Sequence, residues 1–251
     1  MALAAILLIL CLLPFAWFLR NDPADYRAFK ALTRTEDRQR RFRIWTLKSF
    51  LLFGCVSLIS LAILGRLSAL VSLPPEFLRL ATFFHDHGPS QAGMTGFLIG
   101  TTSAIVFGLI IGILAARRKK KKQALKPVTI GDIAPLLPRN WPEIAHGALL
   151  SVNAGFSEEL YFRLLLPLLF AILIGHAVPA FVLAAIIFGL AHFYQGIAGV
   201  IATTILGILL TLTYLFTGTI WAAVGAHAFL DLIGLVIRPS LARIFARPQP
   251  A

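Results

Sequence analysis

Long apolar stretches separated by polar segments run through the whole chain. Several of them are close to the roughly 20 apolar residues that a helix needs to cross a hydrocarbon core. Alternating segments of the kind that build membrane barrels are not evident, and helices satisfy their own backbone groups within a membrane. The candidate spans are residues 2–19, 49–72, 94–116, 143–174, 177–195, 197–216 and 218–237. The pattern therefore predicts an all-α polytopic membrane protein with about seven transmembrane helices.

Composition agrees with this prediction and suggests where the chain divides. Hydrophobic residues make up 58% of the 251 residues and charged residues only 14%, which is not the balance of a soluble protein. We expect three N-terminal helices with basic loops over 1–122 and a connector over 123–142. A four-helix core follows over 143–238, and a tail over 239–251.

The basic residues between the spans predict the orientation. Nine Lys or Arg lie between Arg20 and Lys48 and eight between Arg117 and Arg139, whereas segment 65–93 has two. Loops rich in Lys and Arg stay in the cytoplasm. The first stretch lacks a basic leading region, so we interpret it as an uncleaved span. The N-terminus is then expected outside, segment 65–93 outside, and the C-terminus in the cytoplasm.

The net charge of +12 does not by itself indicate a nucleic-acid-binding protein. Its densest run, residues 117–122 (RRKKKK), directly follows a predicted span. Basic residues in that position bind anionic lipid and anchor the topology. We expect anionic lipid at the basic loops and no nucleic acid.

Charge is rare in the second half of the chain. Between Ile144 and Ile237, a stretch of 94 residues, the formally charged side chains are four: Glu158, Glu159, Arg163 and Asp231. An ionisable group in the middle of a span costs about 2.5–3.5 kcal/mol, so such groups usually pair or line a wet cavity. Each of the four therefore needs an explanation.

Two of these charges account for each other. Glu159 precedes Arg163 by four residues, which places the two side chains on one helix face in the favourable order for an ion pair. We interpret them as a structural pair. Glu158 is rotated by about 100° from Glu159 around the helix. It is the carboxylate left without a local partner.

Two histidines complete a candidate site. His192 and His227 lie in separate predicted spans, and Asp231 follows His227 by four residues, on the same face. If these groups and Glu158 face inward, three helices surround one polar pocket suited to activating water. A structural role is the alternative, because a lone His in a span often hydrogen-bonds to a neighbouring helix.

The residues in question resemble three motifs of one family. Residues 158–163 (EELYFR) resemble EExxxR, residues 188–192 (FGLAH) resemble FxxxH, and residues 227–231 (HAFLD) resemble HxxxN/D. Their order and their distribution over separate spans are those of the CAAX protease and bacteriocin-processing (CPBP) family, also called the type II CAAX prenyl endopeptidase or Abi family. The resemblance covers about residues 140–238.

What the resemblance implies is an intramembrane endopeptidase in a prokaryotic cytoplasmic membrane. Glu158 would be the general base, and His192 would hold and polarise the attacking water. His227 and Asp231 would stabilise the oxyanion or bind the substrate carbonyl, and Phe188 supports the second motif. Members are described both as metalloproteases and as metal-independent glutamate peptidases.

The residues leave the choice between these two mechanisms open. Glu158, His192, His227 and Asp231 would make a plausible zinc set, and zinc would make a bound water more acidic. No H-E-x-x-H motif ties them together, which favours a metal-free mechanism. Asp231 stands where better-characterised relatives have Asn. An ionised Asp cannot donate to an oxyanion. Either burial beside Glu158 keeps Asp231 neutral, or Asp231 orients His227 and leaves the oxyanion to the imidazole; we favour the second.

Other functions fit the same residues. A proton- or ion-coupled transporter would use the carboxylates as a relay, and a non-catalytic relative would not need them. If the chain is a peptidase, its partner is a membrane-associated peptide or protein: a prenylated CAAX protein, a leader peptide or a sorting signal. No sequence feature selects among these substrates, and none indicates an oligomeric state.

Overall fold

The computed structural model describes residues 1–88, 90, 93, 96, 100 and 129–244, and the regular elements in this part of the chain are helices. The prediction of an all-α protein is confirmed. The α-helices are α1 (Ala2–Lys30), α2 (Thr35–Ser49), α3 (Val56–Ile63), α4 (Pro75–His87), α5 (Trp141–Glu159), α6 (Leu166–Ile174), α7 (Ala177–Ala191), α8 (Gly196–Thr217), α9 (Ile220–Leu232) and α10 (Arg238–Ile244).

Several helical stretches are long and apolar enough to cross a membrane, so the protein is an integral membrane protein. Among the described residues there are five: Ala2–Lys30, Thr35–Ile63, Leu67–His87, Phe193–Thr217 and Ile220–Ile244. A shorter apolar helix covers Ala177–Ala191. The predicted span 94–116 and the basic run 117–122 fall outside the described residues, apart from Gly96 and Gly100. The number of spans and the orientation stay predictions.

The helices differ from the predicted spans in one region especially. Segment 65–93, expected to lie between two spans on the outside of the membrane, contains helix α4. Pro75 occupies its first turn, where the missing N–H has no cost. Phe77 is fully buried and its ring lies 4.7 Å from that of Phe181 on α7. This apolar face explains why the segment folds as a helix against the core.

One close helix crossing brings the halves of the candidate site together. Gly155 on α5 faces Ala228 on α9, and a Cβ placed on Gly155 would lie 2.7 Å from the Ala228 Cβ. Small residues at a crossing let two helix backbones approach closely in a membrane. The crossing therefore holds the end of α5 beside His227.

Three π-helical turns interrupt the long helices in the described part of the chain. They cover Phe50–Cys55, Leu160–Leu165 and Ile233–Ile237. The second begins directly after Glu159, and the third follows Asp231 by one residue. Such turns occur often at functional sites, because they redirect side chains within a continuous helix.

Helix α2 is joined to α5 by a buried ion pair. Arg38 and Glu143 are both fully buried, and Arg38 Nε donates to Glu143 Oε2 over 3.1 Å. Thr35 Oγ1 donates to the second carboxylate oxygen over 2.9 Å. The Asn140 side chain accepts from the Glu143 backbone N–H at 2.9 Å and caps α5. One polar network thus fixes the start of α5 against α2.

Candidate active site

The predicted site residues line one cavity. It has a volume of about 360 Å³, and Glu158, His192, His227 and Asp231 all contribute to its wall. Glu158 comes from the end of α5, His192 directly follows α7, and the other two lie on α9. Three separate helices therefore supply the polar groups of a cavity whose remaining wall is mostly apolar.

Among the carboxylates of the three motifs, Glu158 is the one without a partner in the described part of the chain. It is half-buried, and its Oε2 is shielded from solvent without a hydrogen bond to any described residue. A buried acceptor left unsatisfied costs about 1–3 kcal/mol. An arrangement of this kind is expected where a carboxylate has to act on a ligand or a water molecule rather than hold the fold together.

Glu159 points away from the cavity and has two partners. Its Oε1 accepts from Arg163 Nη1 at 2.9 Å. The side chains of Glu159, Arg163 and His227 are all buried. The same oxygen lies 2.6 Å from Nδ1 of His227. Sequence reasoning assigned Glu159 to Arg163 alone. The structure adds that Glu159 also holds the ring of His227.

Phe188 packs the motif residues against one another. Its ring lies under the Arg163 guanidinium at 3.9 Å, and its centroid is 4.7 Å from that of His192. The ring of His227 stands edge-on to it at 6.1 Å. The ring of Phe188 therefore contacts both the Arg163 guanidinium of the buried ion pair and the ring of His192.

His192 lies at the point where α7 ends and a short 3₁₀ turn begins. Its Nδ1 lies 2.9 Å from the carbonyl oxygen of Phe188, one turn earlier. A carbonyl only accepts, so Nδ1 is the protonated nitrogen. In the neutral ring Nε2 is then left as an acceptor for a group in the cavity.

Asp231 is close to His227 but not hydrogen-bonded to it. Asp231 Oδ2 lies 3.8 Å from His227 Nε2, beyond the range of a hydrogen bond. The expectation that Asp231 orients His227 is therefore not met by this geometry, since the short contact to the ring comes from Glu159 on its other nitrogen.

The side chains do not form a metal site in this geometry. Across residues 1–88 and 129–244, no three His, Cys, Asp or Glu side chains are grouped so that they could hold a metal ion. One nitrogen of His227 contacts Glu159 and one nitrogen of His192 contacts the backbone, which leaves Nε2 of each ring toward the cavity.

The cavity also has residues that sequence reasoning did not single out. Asp22 and Tyr26 of α1 and Trp45 of α2 line it, as does Arg238 at the start of α10. Asp22 is only 8% exposed. Asp22 and Arg238 lie at the ends of apolar stretches of the sequence, where a charged residue is usually assigned to a loop. Only the packing of α1, α2 and α10 around the cavity shows that these residues face the site.

Helix α1 is attached to the first motif directly. The hydroxyl of Tyr161 is buried and donates to the carbonyl oxygen of Cys11 over 2.9 Å. The rings of Phe15 and Phe53 lie 6.2 and 5.1 Å from the ring of Tyr161. The N-terminal helices therefore form part of the wall around the site.

One comparison with known proteins gives a match. Residues 140–233 match the family model described as type II CAAX prenyl endopeptidase Rce1-like. The matched segment includes all three motifs and the four cavity residues predicted from the sequence.

Comparison with curated proteins gives no match, and comparison with solved structures gives none. The family model and the motifs agree in the region they cover. Residues 140–233 of the chain are therefore similar to the Rce1-like family of type II CAAX prenyl endopeptidases.

Proposed function

We propose that the protein is an intramembrane endopeptidase that uses Glu158 to activate water. The observation that carries the proposal is an unpartnered carboxylate facing a largely apolar cavity that also contains His192 and His227. A general base needs a free acceptor within reach of the proton that it removes. Glu158 meets this requirement, whereas Glu159 is committed to Arg163 and His227.

The first step is removal of a proton from a water molecule held between Glu158 and His192. With Nδ1–H of His192 bonded to the Phe188 carbonyl, Nε2 accepts one hydrogen of the water and Glu158 accepts the other. The oxygen attacks the carbonyl carbon of the scissile peptide bond while its proton passes to Glu158. Glu158 then donates that proton to the leaving amine, so it acts first as base and then as acid.

His227 is placed to stabilise the tetrahedral intermediate. Its Nδ1–H donates to Glu159, so in the protonated ring Nε2–H is a donor toward the cavity. Glu159 balances the positive charge, as a carboxylate does beside the imidazolium of other hydrolases. Such a donor lowers the energy of an oxyanion as it forms. We assign Asp231 to the wall of the substrate site.

The proposed reaction uses protein side chains only. Because the four candidate ligands are not grouped for metal binding, no step in it requires zinc.

The proposed substrate is a peptide or protein held at the membrane. The family model is that of prenyl endopeptidases acting on CAAX sequences, so a prenylated C-terminal segment is the first candidate. A leader peptide or a sorting signal is the second. The mostly apolar cavity between membrane helices supports a lipid-anchored or strongly apolar segment.

Cleavage of a fluorogenic farnesylated CAAX peptide by the purified protein in liposomes tests the proposal. Glu158→Gln is expected to abolish cleavage, because the amide cannot take a proton from water. Glu36→Gln is the matched control, since Glu36 is exposed on α2. Cleavage by Glu158→Gln at the wild-type rate would exclude the proposed base.

An ion-coupled transporter gives a different result in the same preparation. Glu158→Gln would then abolish ion-dependent flux, and no product peptide would be detected by mass spectrometry with the wild-type protein.

A further inference from the structure

Arg238 is a cation in the cavity wall with no visible role in the fold. It begins α10, directly after the π-helical turn Ile233–Ile237, and is half-buried. Within residues 1–88 and 129–244 its side chain forms no ion pair within 4.0 Å and none of the side-chain hydrogen bonds. Its guanidinium therefore has five donors to offer to a ligand.

Several other cations on the helices have partners. Arg38 is paired with Glu143, Arg163 with Glu159, and Lys48 with Asp25. Arg243, on the same short helix as Arg238, donates to the Arg139 carbonyl. A guanidinium among apolar side chains needs an anion or acceptors to offset its lost hydration. Arg238 is the lining cation that has none within the described part of the chain.

Carboxylates and the Arg238 guanidinium lie at different positions along the cavity. Glu158 and Asp231 line the cavity with the two histidines, and Arg238 lines it seven residues beyond Asp231 on the same helical stretch. Seven residues of helix correspond to about 10 Å along the axis. An extended peptide covers that distance with about three residues, at roughly 3.3–3.6 Å each.

We infer that Arg238 binds a carboxylate of the substrate and thereby sets the direction in which the peptide lies in the cavity. The inference rests on the proposed endopeptidase function and deepens it. A carboxylate is repelled by Glu158 and Asp231 and attracted by Arg238, which can bind it through two parallel hydrogen bonds. With its carboxylate at Arg238, a peptide places the bond about three residues away near the level of Asp231, which lines the same cavity as Glu158. The carboxylate is either the C-terminus or an acidic side chain near it.

Binding of matched peptides to the full chain tests this inference separately from cleavage. The protein is the Glu158→Gln variant, which keeps the peptide intact during the measurement. The first probe is a fluorescent farnesylated CAAX peptide with a free C-terminal carboxylate, and the second is the same peptide as its C-terminal amide. A third is an amide whose last residue is Asp. Affinities are read by fluorescence anisotropy in detergent micelles.

The free acid is expected to bind about 10- to 100-fold more tightly than the amide, the difference that a charged hydrogen bond supplies. Arg238→Gln is expected to remove this difference, and Arg238→Lys to keep part of it. Arg243→Gln, on the same helix, is the control and is expected to change neither affinity. If the amide ending in Asp binds as the acid does, the carboxylate comes from a side chain.

Equal binding of the free acid and the amide to the Glu158→Gln protein, called the parent protein here, would overturn the inference. Failure of both peptides to bind would also overturn it. Persistence of the difference in Arg238→Gln would overturn it too. Should Arg238→Gln not fold, the comparison of acid with amide on the parent protein and on Arg238→Lys still decides. Cleavage by Glu158→Gln at the wild-type rate, with the acid preference intact, would instead count against the proposed chemistry of Glu158 and leave the role of Arg238 standing.

Discussion

Glu158 and Glu159 are adjacent in the chain but have different surroundings. Glu158 faces the cavity with an unpaired oxygen, whereas Glu159 is fully buried between Arg163 and His227. A rotation of about 100° per residue separates the two side chains. One residue is thus available for chemistry, and the other holds the groups around it.

Removing the charge of either residue should therefore give different results. Glu159→Gln leaves Arg163 buried without its carboxylate, and breaking a buried pair costs about 3–5 kcal/mol. We expect a clear drop in melting temperature together with loss of kcat. Glu158→Gln should lose kcat without that drop. Thermal unfolding in detergent and cleavage rates measured on both variants check the prediction, and equal melting temperatures would contradict it.

Asp231→Asn tests which carboxylate serves His227. Because Glu159 makes the short contact at 2.6 Å and Asp231 lies 3.8 Å away, His227 should stay in place when Asp231 is neutral. We expect kcat to change by less than about tenfold, which corresponds to roughly 1.4 kcal/mol. Measured peptide cleavage decides, and a larger loss would show that the charge of Asp231 takes part in the reaction.

At the scale of the helices, the contact between α5 and α9 positions the site. Gly155 allows the two backbones to approach where Glu158 and Glu159 must lie close to His227. A side chain at position 155 would separate α5 from α9, and these helices supply Glu158 and His227 to the candidate site. Misplacement by about 1 Å can cost two orders of magnitude in rate.

Gly155→Ala is expected to lower activity strongly. The new Cβ would lie 2.7 Å from both Cβ and N of Ala228, so the helices must move apart. Overpacking of this kind costs about 1–3 kcal/mol. Gly225→Ala on α9 is the control, because a Cβ there meets nothing within 4 Å. Equal kcat in the two variants would mean that this crossing does not set the geometry of the site.

Helical periodicity and spacing predict much of this architecture. Apolar length indicates the helices, and the four-residue spacing indicates the contact between Glu159 and Arg163. Contacts between distant parts of the chain leave no such pattern. Nothing in the spacing of Glu159 and His227, or of Arg38 and Glu143, indicates that they meet. The same holds for Asp22, which reaches the cavity through the packing of α1.

At the scale of the whole molecule, the protein should work without a bound metal. Glu158, His192, His227 and Asp231 line the cavity, but none of the described His, Cys, Asp and Glu residues form a group of three suited to a metal ion. Purified protein is expected to contain less than one equivalent of zinc and to keep its cleavage rate after dialysis against a chelator. Elemental analysis and activity measured on the same sample check this.

The chelator experiment needs a control for indirect effects. Melting temperature before and after dialysis shows whether the fold itself is affected. Activity lost on chelation and restored by zinc, at constant melting temperature, would contradict the metal-free mechanism.

The buried pair of Arg38 and Glu143 has a consequence for chimaeras. The family match begins at residue 140, yet Glu143 has its charged partner on α2, more than one hundred residues earlier. A protease segment transplanted onto the N-terminal helices of another relative would retain the carboxylate without the guanidinium. The two regions can therefore be exchanged only together, or with both members of the pair restored, so they are expected to evolve as coupled rather than modular parts.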